Sequence, residues 1–248
     1  DAQVDVTPEF LEMLRAELCL DKSLPEQYGI WLLNIAQLDM GYSIGTQRLV
    51  KDIIAIHIGT TLKLAAGAWI FAVSIGVSVG VLAAVKRATV WDYLGRIFAL
   101  FGQATPQFWT GVMAILIFAV ILGWFPAGTL GRQEGNFFLW KNLQHWILPW
   151  IVLGWPAAAG IMRLTRSSML EILDSEYIKL GRAKGVSPQK IIWKHALRNA
   201  LIPPLTSSLV LLADYLNGAL VIEIIFSLPG IGTVALNQAV YDNDWPLL

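Results

Sequence analysis

Cys19 is the only cysteine in this 248-residue chain, so no disulfide framework can staple it. Its three histidines, His57, His145 and His195, stand far apart without metal-ligand spacing, and no metal site is expected. Charge is scarce as well: 15% of the residues are charged, against about 25% in soluble domains. The 18 basic and 18 acidic residues cancel, which leaves no positive excess for a nucleic-acid partner. No G-x-x-x-x-G-K-[ST] phosphate loop occurs, so the chain does not bind ATP in that way. What fills the chain is apolar: 56% of it is hydrophobic, with a mean hydropathy of +0.58. That is the composition of a membrane protein.

Charge-free runs mark the spans. Lys63 and Lys86 bracket residues 64–85, Arg96 and Arg132 bracket 97–131, and Lys141 and Arg163 bracket 142–162. A fourth run, 199–226, carries two acids, Asp214 and Glu223. Each is long enough for the roughly 20 residues that cross the hydrocarbon core. The second is too long for one helix and is expected to end near Trp124 and Pro126, where an interfacial aromatic meets a turn. The expected fold is an all-α polytopic membrane protein with spans at about 61–85, 95–123, 145–165 and 199–226.

Basic residues orient the spans. Lys86, Arg87 and Arg96 follow the first, and Arg163, Arg166, Lys179, Arg182, Lys184, Lys190, Lys194 and Arg198 follow the third. Such loops favour the cytoplasmic side, which places 124–144 and 227–248 outside. Residues 1–57 then also lie outside, as an external cap ahead of a membrane domain over 58–248. The chain begins at Asp1 without a signal peptide, so a further span is expected before it and another after 248, making four of about six. Within the cap, Thr7 and Pro8 open one expected helix, with Phe10, Leu11, Leu14 and Leu18 at helical spacing. A second helix is expected over 26–37 and a turn at Gly41, Tyr42 and Ser43. The cap reads as a solvated loop with two amphipathic helices; contact with a delivery protein is the sharper alternative.

The basic loop at 174–198 carries more pattern than a topology signal needs. Residues 176–184 form a short helix with Tyr177, Leu180, Gly181 and Lys184 on one face. Gly181, Ala183 and Gly185 leave room for another surface to approach, and Gly185 suits a left-handed C-cap. Ser187 and Pro188 restart a helix as N-cap and first helical residue. On that second helix Trp193, Ala196, Leu197, Ala200 and Leu201 are expected to form an apolar stripe, and Lys190, Lys194 and Arg198 a basic one. The blander reading is a basic loop that fixes topology and touches lipid headgroups.

Polar groups inside the spans mark a second region. An acid at mid-bilayer costs roughly 2.5–3.5 kcal/mol on insertion scales, so Asp214 is expected to face a partner or a watery path. Gln103, Pro106 and Gln107 interrupt the second span, where a kink would free a carbonyl for polar neighbours. Gln103, Pro106, Asp214 and Asn217 are the candidate pathway residues, with ordinary helix packing as the alternative. Glu223 reads as structural, bonding amides of the turn at Pro229 and Gly230.

At these residues a family emerges. Glu176-Tyr177, Ala183-Lys184-Gly185, His195-Ala196-Leu197-Arg198-Asn199-Ala200 and Pro203 together resemble the EAA motif of ABC-importer permeases, most closely the B-type subunit of dipeptide, oligopeptide and nickel importers. Asp39-Met40-Gly41-Tyr42-Ser43, Thr60-Thr61-Leu62, the stretch from Met162 to Glu171 and that from Glu223 to Gly232 resemble the family's other motifs, in order and over nearly the whole chain. Gly181 departs from the alanine more usual there, and Asp214 from a neutral residue.

The resemblance implies a type I ABC-importer transmembrane domain in a prokaryotic inner membrane. It implies a second, homologous permease subunit, two cytoplasmic ATPase subunits that bind ATP and magnesium, and an external substrate-binding protein. No cofactor is then expected in this chain, and no catalytic residue. Glu176, Tyr177, Leu180, Gly181, Arg182, Ala183, Lys184 and Gly185 are the expected ATPase-coupling residues, supported by Ser187, Pro188, His195, Arg198 and Asn199. The substrate is expected to be a peptide, with nickel or glutathione as alternatives. An ATPase-independent channel or secondary transporter is the alternative of a different class.

Overall fold

The computed structural model describes residues 8, 12, 20–128, 137–242 and 244–247, without the side chains of 216–218 and 245. Helices dominate. They are α1 (Leu24–Ala36), α2 (Val50–Val85), α3 (Val90–Ala104), α4 (Gln107–Ile121), α5 (Trp140–Leu173), α6 (Glu176–Ala183), α7 (Pro188–Ala200), α8 (Ile202–Gly218), α9 (Leu220–Ile225) and α10 (Ile231–Val234). Among the described residues there is no strand, only a single antiparallel bridge between Tyr42 and Leu49. The helix expected near 8–18 falls outside the described residues apart from Pro8 and Glu12, which are helical.

Two compact units divide the chain, residues 1–55 with 238–248, and residues 56–237. In the first, α1 opens at Ser23, whose side chain and backbone exchange bonds with Glu26 in a capping box. Asp244 lies buried and gathers the 43–45 loop. It accepts from the Ser43 hydroxyl at 2.5 Å, the Ile44 amide at 2.8 Å and the Gly45 amide at 3.2 Å. Burial works to raise the Asp244 pKa, but these three donors outweigh it and hold the carboxyl below its ordinary value.

In the second unit the long helices α2 and α5 pack together along small residues. A side-chain carbon added at Gly76 would lie 2.7 Å from the Ala158 carbonyl, and one at Gly80 would lie 2.7 Å from Thr165 Cβ. Glycine there is what allows the two backbones to meet. The core around this seam includes Leu64, Ala68, Trp146, Val152, Leu153 and Ile161. Two side chains tie α8 to it: Trp69 donates to the Ser208 carbonyl at 2.9 Å and Tyr215 to the Leu153 carbonyl at 3.2 Å.

α2 and α5 are each long and apolar enough to cross a membrane; the pairs α3–α4 and α7–α8 qualify only if each bent pair is one span. The first expected span, 61–85, lies within α2, which begins earlier, at Val50, with charged first turns that need no lipid. Two expectations are corrected here. The second expected span, 95–123, is two helices bent by 106° at Pro106, not one kinked helix. Proline removes a donor and drives Thr105 into extended backbone (φ −91°, ψ 130°), so the helix stops rather than bends. The fourth, 199–226, is likewise divided: α7 turns by 47° into α8 before Pro203 and Pro204, and α9 follows separately.

Candidate functional site

The loop after α5 builds a short helix with two unlike sides. Ile178 of α6 is buried against Val81, Ala84, Met169, Ile191, Ala196 and Ala200. Tyr177 and Leu180 point the other way and are 44% and 56% exposed, and Lys184 is exposed beside them. Gly181 has open space where a side chain would stand. An exposed leucine and tyrosine on a helix clamped from behind form a rigid, partly apolar platform. Glu176 and Lys179 form an exposed ion pair at 2.7 Å that contributes little stability.

The end of α6 is a Schellman turn. The Val186 amide donates to the Gly181 carbonyl at 3.1 Å and the Gly185 amide to the Arg182 carbonyl at 3.0 Å. Gly185 takes φ +77°, which a β-carbon disfavours. Val186 then packs inward on the same cluster as Ile178. Arg182 and Ala183 are exposed.

α7 restarts at Ser187 in extended backbone with Pro188 at its first helical position, and Ser187 makes no side-chain cap bond. Its middle, Ile191–Ala196, is a π-helix. That widened turn shifts the register. The buried positions are Ile191, Ala196 and Ala200, while Trp193, expected in the apolar stripe, is 63% exposed. His195, Arg198 and Asn199 are exposed too. Asn199 reaches back across the loop: its amide donates to the Tyr177 hydroxyl at 3.0 Å. The two halves of the loop motif therefore meet through side chains.

Polar groups of the spans gather elsewhere. A cavity of about 530 Å³ opens between α3, α5 and α8, lined by Gln103, Gln107, Arg163, Ser207, Leu211 and Tyr215 among others. A neighbouring cavity of about 430 Å³ shares Gln103 and Arg163 with it and adds Arg96 and Arg166. Pro106 sits exposed at the break beside them. Asp214 is exposed on α8 and lines neither cavity, although its neighbour Tyr215 does. The side chain of Asn217 lies outside the described residues.

Two buried acids went unread as anchors in the sequence. Asp92, fully buried, accepts from Arg166 at 2.7 and 2.9 Å, from Arg96 at 2.8 and 3.1 Å and from the Ala88 amide at 3.0 Å. It locks the start of α3 to the C-terminal half of α5. Asp244 is the second. Glu223 is structural, as its position suggested, but its partners are not the amides of the Pro229-Gly230 turn, where the Gly230 amide donates to the Leu228 carbonyl. Glu223 accepts from the Thr61 hydroxyl at 2.6 Å and the Thr233 amide at 3.0 Å, while Thr61 accepts from the Ile231 amide at 3.0 Å. A side chain at Gly230 would run into the Glu223 carboxylate. His57 adds a contact, its Nδ1 standing 2.9 Å from the Pro229 carbonyl.

These features define a helical membrane protein with a braced, exposed loop helix and, between its long helices, cavities that carry a few polar groups. Residues 76–244 match the family model described as the binding-protein-dependent transport system inner membrane component, and the chain belongs to that family. It is similar to the dipeptide transport system permease protein DppB of Alkalihalophilus pseudofirmus, 37% identical over 262 residues covering 98% of this chain and 78% of that protein. It is also similar to the di/tripeptide transport system permease protein DppB of Pseudomonas aeruginosa, 36% identical over 263 residues, 98% of this chain and 77% of that one. Among solved structures, a chain of the inward-facing MetNI methionine ABC transporter superposes with a TM-score of 0.55 over 76% of this chain and 81% of its own length, at 20% identity. That likeness shows the fold, a type I ABC-importer transmembrane domain.

Proposed function

We propose that this chain is a permease subunit of an ATP-driven importer of di- and oligopeptides, with α6 as the helix that docks on a cytoplasmic ATPase. The observation that carries the docking role is the two-sidedness of α6: buried at Ile178, bare at Tyr177, Leu180 and Lys184. A lipid-facing or purely topological loop needs no such braced platform. The peptide substrate rests on the relatives' transport of dipeptides and di/tripeptides, as their names state.

In this reading ATP and magnesium belong to two ATPase subunits, and an external binding protein delivers the solute to a path shared with a second permease. Closure of the ATPases presses on α6. The push passes through the Ile178 cluster to α2 and α5, whose residues Val81 and Met169 lie in it. The spans then rock between inward-open and outward-open states. Gln103, Gln107 and Ser207 offer hydrogen bonds along the path, with Pro106 setting the break that exposes them. Asp214, exposed on a membrane helix, faces the partner permease or the path itself.

The test is uptake by the complete reconstituted complex, with labelled dipeptide in one arm and Ni²⁺ in the other. ATP-dependent peptide accumulation supports the reading. Accumulation of Ni²⁺ alone would reassign the substrate, and accumulation without ATP would replace the importer by a channel or secondary transporter.

A further inference from the structure

Arg163 stands out among the basic residues near the spans. It lines both polar cavities, and it has no hydrogen bond or ion pair among the described residues. Its neighbours Arg96 and Arg166 share the single Asp92 carboxylate, so each has an acidic partner while Arg163 has none among the described residues, and the group as a whole stays positive. Among the described residues, neither cavity is lined by an acid. One turn before Arg163 on α5, Gly160 lies against the amide of Gln103: a side-chain carbon there would stand 3.7 Å from Gln103 Nε2. The free guanidinium and the amide thus supply polar groups to one largely apolar cavity, which runs from Leu153 in the middle of α5 to Arg163 and Leu164.

We propose that Arg163, with Gln103 beside it, receives the side-chain carboxylate of an acidic solute at the cytoplasmic end of the path. The proposal rests on the peptide-importer reading. An acidic residue gives a peptide a side-chain carboxylate besides its C-terminal one, and a planar guanidinium matches it with two parallel donors. A cavity wall with a cation and no acid attracts that end of the solute and repels a second cation. Because Arg163 is exposed rather than sealed, it holds the carboxylate transiently and releases it to the cytoplasm.

The experiment compares wild type, Arg163→Gln and Arg163→Lys in the complete complex, reconstituted in vesicles, with labelled Ala-Glu, Ala-Ala and Ala-Lys. Each rate is divided by the wild-type rate for the same peptide. Arg163→Gln should slow Ala-Glu roughly 10-fold or more, Ala-Ala less and Ala-Lys least, with Arg163→Lys in between because it keeps the charge but not the paired donors. An equal fall for all three peptides, or no fall, overturns the proposal. An equal fall that also tracks the anionic lipid content of the vesicles overturns it in favour of a lipid headgroup. Absence of peptide uptake by wild type is a different failure: it removes the peptide reading itself.

Discussion

The Asn199 side-chain amide donates to the Tyr177 hydroxyl at 3.0 Å, joining residues 22 positions apart on either side of the loop turn. Tyr177 belongs to the exposed helix and Asn199 to the helix that leads back into the membrane. The bond ties α6 directly to α7, beside the apolar contacts of Ile178.

Removing that bond should loosen the loop without unfolding the subunit. Tyr177→Phe and Asn199→Ala, alone and together, form a double-mutant cycle on the unfolding free energy. The expected coupling is about 0.5–1.5 kcal/mol, the usual net range for one hydrogen bond. Fully additive effects would mean the two residues do not cooperate.

Asp92 should be the most sensitive of the buried charges. Asp92→Ala leaves Arg166 and Arg96 facing each other without their acceptor. Loss of one partner of a buried pair costs about 3–5 kcal/mol; here the half-exposed Arg96 can turn to water, so the lower end is expected. Thermal unfolding of the purified subunit measures it, and a change within experimental error would rule the lock out.

The Glu223 anchor predicts a paired result. Glu223→Ala leaves the Thr233 amide and Thr61 hydroxyl without their acceptor, which costs about 1–3 kcal/mol for each buried group. Gly230→Ala should destabilise too, since its methyl enters the carboxylate's place. Glu223→Gln keeps one acceptor oxygen and should be milder than either. If Glu223→Gln proved the most damaging of the three, the hydrogen-bonding role would be wrong.

Asp244 makes the 43–45 loop sensitive to acid. Its folded-state pKa lies below the ordinary 3.8, so its stabilising effect is complete above that value and is lost as the pH falls through the lower folded-state value. Hydrogen exchange at the Ile44 and Gly45 amides should stay slow at neutral pH and quicken only in strong acid. Asp244→Asn should abolish that dependence; an unchanged acid profile in the variant would assign it to another group.

Local pattern exposed the helices, the Schellman turn and the role of Glu223, because each depends on neighbours in the chain or on a glycine needed at one place. Hydropathy could not locate the ends of α2, since its polar first turns read as loop, nor decide between kink and break at Pro106. Trp193 was misplaced because a π-turn changes the helical period without a marker in the residue types. The Asp92–Arg166 pair bridges 74 residues and Asp244–Ser43 bridges 201, and no local pattern announces such contacts. The polar cavities were half legible: Gln103 and Gln107 flank a proline, but Arg163 reads in sequence as one more cytoplasmic charge.

Gly185 tests the coupling role of α6 most directly. Its φ of +77° admits asparagine more readily than a β-branched residue, and a β-carbon there would meet no described residue within 4 Å. In the assembled, reconstituted complex, Gly185→Val should retain ATP hydrolysis but lose most binding-protein-driven peptide uptake, with Gly185→Asn in between. Uptake at the wild-type rate per ATP hydrolysed by Gly185→Val, in a correctly assembled complex, would contradict the coupling role.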